Sequence, residues 1–274
     1  MENQPVIQND QEKKFTNLRK WNISMFFLHL VQGIAMLAVS STFALPVTTS
    51  YVEFNVATQK LNTVLATLGD LRIGPLVAGF LLLSALAHFS VSFGPGYRWY
   101  IENLKKGMNL ARWIEYSFSS SLMIVVIALL VGVYDLSALI LLFFLNAMMI
   151  LFGWVMEKHN HALSAVALAK AETQKTDWTS YLFGCIAGII PWIVVALYLF
   201  NAGQGEFKAP TFVYWIYFSI FLFFNVFAIN MILQYKKVGN WRDYLYGEKV
   251  YIVLSLVAKS LLAWQVFVGT LRPV

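Results

Sequence analysis

Charge is scarce in this chain. Asp, Glu, Lys and Arg make up 12% of its 274 residues, against about 25% in an ordinary soluble domain. With 59% hydrophobic residues, that scarcity excludes a water-soluble globule and points to a polytopic membrane protein. Cysteine is nearly absent: Cys185 alone, inside an apolar run, excludes a disulfide framework and a thiolate metal site. Histidine is sparse as well. Catalytic zinc needs three protein ligands, whereas only His29 and His88 fall in apolar segments and His159 and His161 fall in a loop. That count argues against an intramembrane zinc hydrolase, and no metal site is expected. No internal repeat or low-complexity segment is present. The polar residues 1–20 lead into the first apolar run without an A-x-A-like cleavage site, so no removable signal peptide is expected. The net charge of +6 reads as loop charge facing anionic lipid, with no nucleic-acid partner implied.

What is abundant is apolar sequence in membrane-length blocks. Stretches of about 20 residues fall near 21–46, 71–93, 111–133, 136–156, 178–200, 211–235 and 244–271. The expectation is an all-α bundle of seven transmembrane helices spanning 21–271, preceded by a cytoplasmic segment 1–20. Lys and Arg set the orientation. With the N-terminus inside, fifteen of the twenty basic residues lie on the cytoplasmic side, and Lys60, Arg72, Lys208 and Arg272 lie outside. This predicts a cytoplasmic N-terminus and an external C-terminus in a multi-pass cell-membrane protein. The outside loop 47–70 is rich in Thr and β-branched residues, with a turn-like Asn55, and predicts a short β-hairpin. The inside loop 157–177 holds Lys, Glu and His and reads as a mobile or weakly helical surface segment. Gly94-Pro95-Gly96 reads as a helix stop.

Lys259 is the remaining basic residue. It sits near the middle of the last span, about ten residues or 15 Å from either edge, too deep to snorkel to the headgroups. A mid-bilayer ammonium costs roughly 2.5–3.5 kcal/mol on insertion scales and is normally paired or functional. Burial favours the neutral, nucleophilic amine, which suits imine formation with an aldehyde. Glu115, in Arg112-Trp113-Ile114-Glu115-Tyr116, reads as the one carboxylate clearly inside a span, so a Glu115–Lys259 pair is the economical arrangement. The alternative is an interfacial Arg112–Glu115 pair at i, i+3 in the first turn of the third helix.

His29, His88 and Ser84 imply a polar cavity on the cytoplasmic side of the lysine. The outward half of the third helix, 123–131, has no acid or base, so protons lack a side-chain relay there. A pump needs protonatable groups or a hydrated route on both sides, and this asymmetry weighs against one. Bulky apolar side chains, among them Phe143, Phe144, Met148, Met149, Trp154, Trp192, Phe221, Phe223 and Trp264, suggest a slot for a long, flat, apolar ligand.

The seventh-helix Ser255-Leu256-Val257-Ala258-Lys259-Ser260 and the third-helix Arg112 to Tyr116 resemble the microbial rhodopsins. The inverted orientation and further segments resemble the heliorhodopsins in particular. Those segments are 43–46, 83–89, 112–121, 150–154, 183–192, 221–225 and 247–254, so the resemblance extends from the first helix to the last. It implies all-trans retinal bound to Lys259 as a Schiff base, with Glu115 as counterion. Ser255 replaces the second acid of pumping rhodopsins. Ser84, Ser119, Met123, Asn146, Ile150, Pro191, Trp192 and Phe224 fall where the family lines or approaches the pocket. His29 and His88, with Arg112, match the family's cytoplasmic-side cavity, and Met231 stands where some members have glutamine. The resemblance further implies a slow-photocycle photosensor without net pumping and without catalytic residues, a homodimer in the lipid bilayer, and an unidentified cytoplasmic signalling partner. The alternative within the same class is a light-driven proton transporter or channel.

Overall fold

The computed structural model describes residues 4–170, 173, 175–201 and 208–271, with side chains from residue 11 onward. Arg272 and parts of the expected segments 1–20 and 157–177 lie outside the described residues. Among the described residues, seven helices are long and apolar enough to cross a membrane. In chain order the helices are α1 (Gln4–Val39), α2 (Ile73–Ser90), α3 (Gly94–Lys105), α4 (Leu110–Leu130), α5 (Leu136–Ala169), α6 (Thr179–Asn201), α7 (Thr211–Tyr235) and α8 (Tyr244–Val266). All except α3 are the spans. One hairpin, β1 (Ala44–Asn55) with β2 (Lys60–Arg72), joins α1 to α2.

Three local outcomes differ from the sequence expectation. The first span closes at Val39, and 44–46 belong to β1, because Thr and β-branched residues favour extended chain. Gly94-Pro95-Gly96 starts a helix as well as following one: Gly94 takes φ +55° and proline fits the first turn of α3. Residues 157–169, expected as a mobile or weakly helical surface segment, continue α5 as regular helix, since Ala and Leu there have high helix propensity.

Short polar side chains fix where the spans begin. Asn109 accepts from the Arg112 N–H at 3.1 Å, Asp135 from Ala138 at 3.0 Å and Asp243 from Leu245 at 3.0 Å. Each satisfies one of the donors that a helix N-terminus leaves open. At the hairpin tip, Asn55 Oδ1 accepts from Ala57 and Thr58 (3.0 and 3.1 Å). The base is stitched to the bundle by Thr48 N–H to the Tyr134 carbonyl (2.9 Å) and Ser41 N–H to the Leu271 carbonyl (2.6 Å).

The two halves of the bundle have different interiors. Toward the hairpin, Met36, Phe80, Leu81, Ile124, Ile127 and Leu129 pack with Leu199, Ile216 and Leu262 into one buried apolar core. The buried ionisable side chains His29, Arg112, Glu157, Glu248 and Lys259 all lie at Lys259 or toward the opposite end.

Candidate functional site

Lys259 lies 15 residues into α8 and is 3% exposed. Its Nζ donates to Glu115 Oε1 at 2.7 Å and to Ser255 Oγ at 2.9 Å. Ser255 is one helical turn before the lysine, so α8 supplies both groups on one face. Ser84 of α2 donates to the same Glu115 oxygen at 2.6 Å. The ammonium also lies 5.0 Å from the centre of the Tyr116 ring. A buried cation thus has a carboxylate, a hydroxyl and an aromatic face, the company that burial of charge requires.

An apolar cavity of about 410 Å³ lies between α4, α5, α6, α7 and α8, with Lys259 on its wall. That size falls within the roughly 300–1,000 Å³ of small-molecule sites. Trp192, Phe221 and Phe224 form its aromatic wall, with Trp192 meeting both phenylalanine rings edge-on at 5.3 Å. Met123, Ile150 and Met231 line it too. Gly184 and Gly188 of α6 line the same space, and Gly188 permits the close approach of α6 to α5: an added Cβ there would run into Met149. The donor set suits a long apolar carbonyl compound. A lone amine closes a slot that is otherwise almost wholly apolar, and a single carboxylate faces that amine.

Arg112 does not pair with Glu115. Its guanidinium bridges Glu157 of α5, at 2.6 Å, and Glu248 of α8. The planar group is sandwiched by the rings of Trp113 (4.3 Å) and Tyr251 (3.9 Å), a geometry that lysine could not copy. Trp113 donates its indole N–H to Glu157 at 2.6 Å. Gly153 makes room for that ring, since a Cβ at this position would overlap it. Glu157 and Glu248 are 3% and 1% exposed, so the bundle buries two further carboxylates besides Glu115. Each is followed by a lysine and lies at the end of an apolar run, which made both look interfacial. Their signal was indirect: a deeply placed arginine needs an acid, and Glu115 was already taken by Lys259.

The structure brings together most of the remaining sequence candidates. Ser119, Met123, Ile150, Trp192, Phe224, Ser255 and Lys259 line the large cavity. Ser84, Asn146 and Pro191 do not line it. Ser84 supports Glu115, Asn146 donates to Ser120 and Ser121 (2.8 and 3.1 Å), and Pro191 lies within α6 beside Trp192. Of the bulky residues expected at the slot, Phe144, Met148 and Trp264 are exposed on the outer face. The imidazoles of His29 and His88 stack at 5.6 Å, and His88 Nδ1 is 2.8 Å from Asn22 Oδ1. A second, small cavity of about 40 Å³ is bordered by Asn22, His88, Asn109, Arg112, Glu115 and Glu248. His29 and Ser84 are not on its border.

Seven membrane-spanning helices around an apolar cavity that ends on a lysine–carboxylate pair define a rhodopsin-type retinal protein. The profile of the heliorhodopsin family matches residues 18–271 of the 274, and the chain belongs to that family. It is therefore an integral, multi-pass, light-sensing protein whose chromophore is retinal. No curated protein matches the chain.

Proposed function

We propose that this protein is a photosensor with a slow photocycle and no net ion transport. In this reading Lys259 holds all-trans retinal as a Schiff base, and Glu115 is its counterion. Retinal supplies light absorption and a double-bond isomerisation that redirects the Schiff-base N–H. The chain's own residues do the rest. Glu115 offers its carboxylate to the positive nitrogen, Ser84 and Ser255 orient that carboxylate and nitrogen, and Ser119, Met123, Ile150, Trp192 and Phe224 wall the slot. Asn146 and Pro191 act from behind that wall.

The observation that carries the non-pumping reading is the asymmetry about Lys259. A proton leaving Nζ has Glu115, His88, His29 and the Arg112 cluster on one side. On the other side it meets the apolar core of Ile124, Ile127 and Leu129, where a charge would have no partner. The proton is held within the polar half and returned. The positive-inside count supports a cytoplasmic location for that half, with the N-terminus inside. Charge movement there would shift the packing of α1, α2 and α4 and signal to a cytoplasmic partner, with the protein working as a homodimer.

The test is illumination of proteoliposomes that carry a pH probe on each side of the membrane. No sustained pH change is expected on either side during illumination. Sustained, uncoupler-sensitive proton flux would replace the sensor with a transporter or channel.

A further inference from the structure

The small cavity has Glu115 on one wall and Glu248 on another. Its volume of about 40 Å³ exceeds the ~10–15 Å³ that one water needs, and its polar border offers the required partners. Arg112 is one turn from Glu115 on α4 and is ion-paired to Glu248, and all three side chains border this one cavity. A polar space large enough for water therefore lies between Glu115 and the arginine cluster.

That cluster is short of positive charge. Two buried carboxylates share one guanidinium, and Lys259, the other buried cation among the described side chains, is engaged by Glu115. The two carboxylates differ in what they can still accept. Each has about four lone-pair positions. Glu157 fills all of them, from Arg112 and the Tyr244 hydroxyl on Oε1 and from the Asn109 N–H and the Trp113 indole on Oε2. Glu248 takes Arg112 and Gln234 on Oε1 but only the Asn109 amide, at 2.6 Å, on Oε2. Glu157 also has no place on the border of the small cavity, whereas Glu248 does.

The geometry points to Glu248 Oε2 as the site that receives and stores the proton displaced from the Lys259–Glu115 pair. The step balances. The proton passes from Lys259 Nζ to Glu115, and then through cavity water to Glu248. Glu115 returns to its anionic form, and Glu248 becomes a neutral acid. The Arg112–Glu157–Glu248 cluster goes from one net negative charge to none, which loosens the hold of Arg112 on α8 while leaving its hold on α5. His88 borders the same cavity, but its Nδ1 is engaged with Asn22, and His29 stacks on it away from the cavity border.

This assignment rests on the proposed light-driven deprotonation, and the experiment separates the two. The full-length protein is loaded with all-trans retinal and illuminated. The blue-shifted, deprotonated state is followed in the visible while infrared difference spectra report carboxylic-acid carbonyls. A new carboxylic-acid band should rise with the blue-shifted state, persist in Glu157→Gln, disappear in Glu248→Gln and change frequency in Glu248→Asp. The aspartate variant keeps the ion pair, so it reports even if the glutamine variant fails to take up retinal. A blue-shifted state whose acid band is absent, or is unchanged in both Glu248 variants, overturns the assignment alone. Loss of the band only in His88→Gln does the same. If no blue-shifted state forms, the light-driven deprotonation itself is wrong and the assignment falls with it.

Discussion

Replacing Lys259 by alanine removes the only amine, among the described residues, on the wall of the large cavity, so the visible band should vanish after incubation with retinal while the helical circular dichroism remains. A band that survives the change and resists hydroxylamine would move the attachment elsewhere. Glu115→Gln should shift absorption to longer wavelength, because a neutral amide lets positive charge spread from the nitrogen along the polyene. An unchanged spectrum would leave another group as counterion. Arg112→Leu strands two carboxylates in the interior. Breaking a buried ion pair costs roughly 3–5 kcal/mol, so the thermal midpoint of the purified protein should fall clearly below that of the parent. The sequence carried the Lys259–Glu115 pair because each was the one obvious charge of its sign inside a span. It did not carry the partners of Arg112. Glu157 and Glu248 each stand beside a lysine at a span edge, and only helix packing decides which neighbour faces inward.

Among the elements, the spans were legible because membrane thickness imposes a length on every apolar run. Their ends were less so. α5 overruns its apolar stretch by several turns, and α3 is a short helix whose buried face, Tyr100, Asn103 and Leu104, alternates with charged residues that mask it. The α4–α5 contact offers a direct test. Gly153→Ala places a methyl group where the Trp113 ring lies, and overpacking of this kind costs typically about 1–3 kcal/mol. Trp113 should lose its bond to Glu157, read as a change in tryptophan fluorescence together with a lower midpoint. Asp135→Ala, which removes the N-terminal cap of the same helix, should cost about 1 kcal/mol and leave the fluorescence unaltered. If the two variants behaved alike, the specific role of Gly153 would be lost.

At the scale of the molecule, the unequal interiors make two different materials of one bundle. The hairpin half is packed hydrocarbon; the other half adds directional buried ion pairs and hydrogen bonds to its smaller apolar clusters. The backbone bond from Ser41 to Leu271 falls in the first half and ties the segment that follows α8 to the segment that follows α1. It works as a hinge pin. Lys259 sits partway along the arm, and Tyr244 stands at the free end, where Lys14 meets Asp243 at 2.6 Å on the exposed rim. On the proposed light-driven reading, a small displacement at the lysine would be larger at that rim than at the pin. Spin labels placed at Lys13 and Arg242 should change separation on illumination, while a pair at Ser41 and Thr270 should hold theirs. The protein is in this sense a lever with its fulcrum at the hairpin, delivering its stroke at the face that carries most of its positive charge.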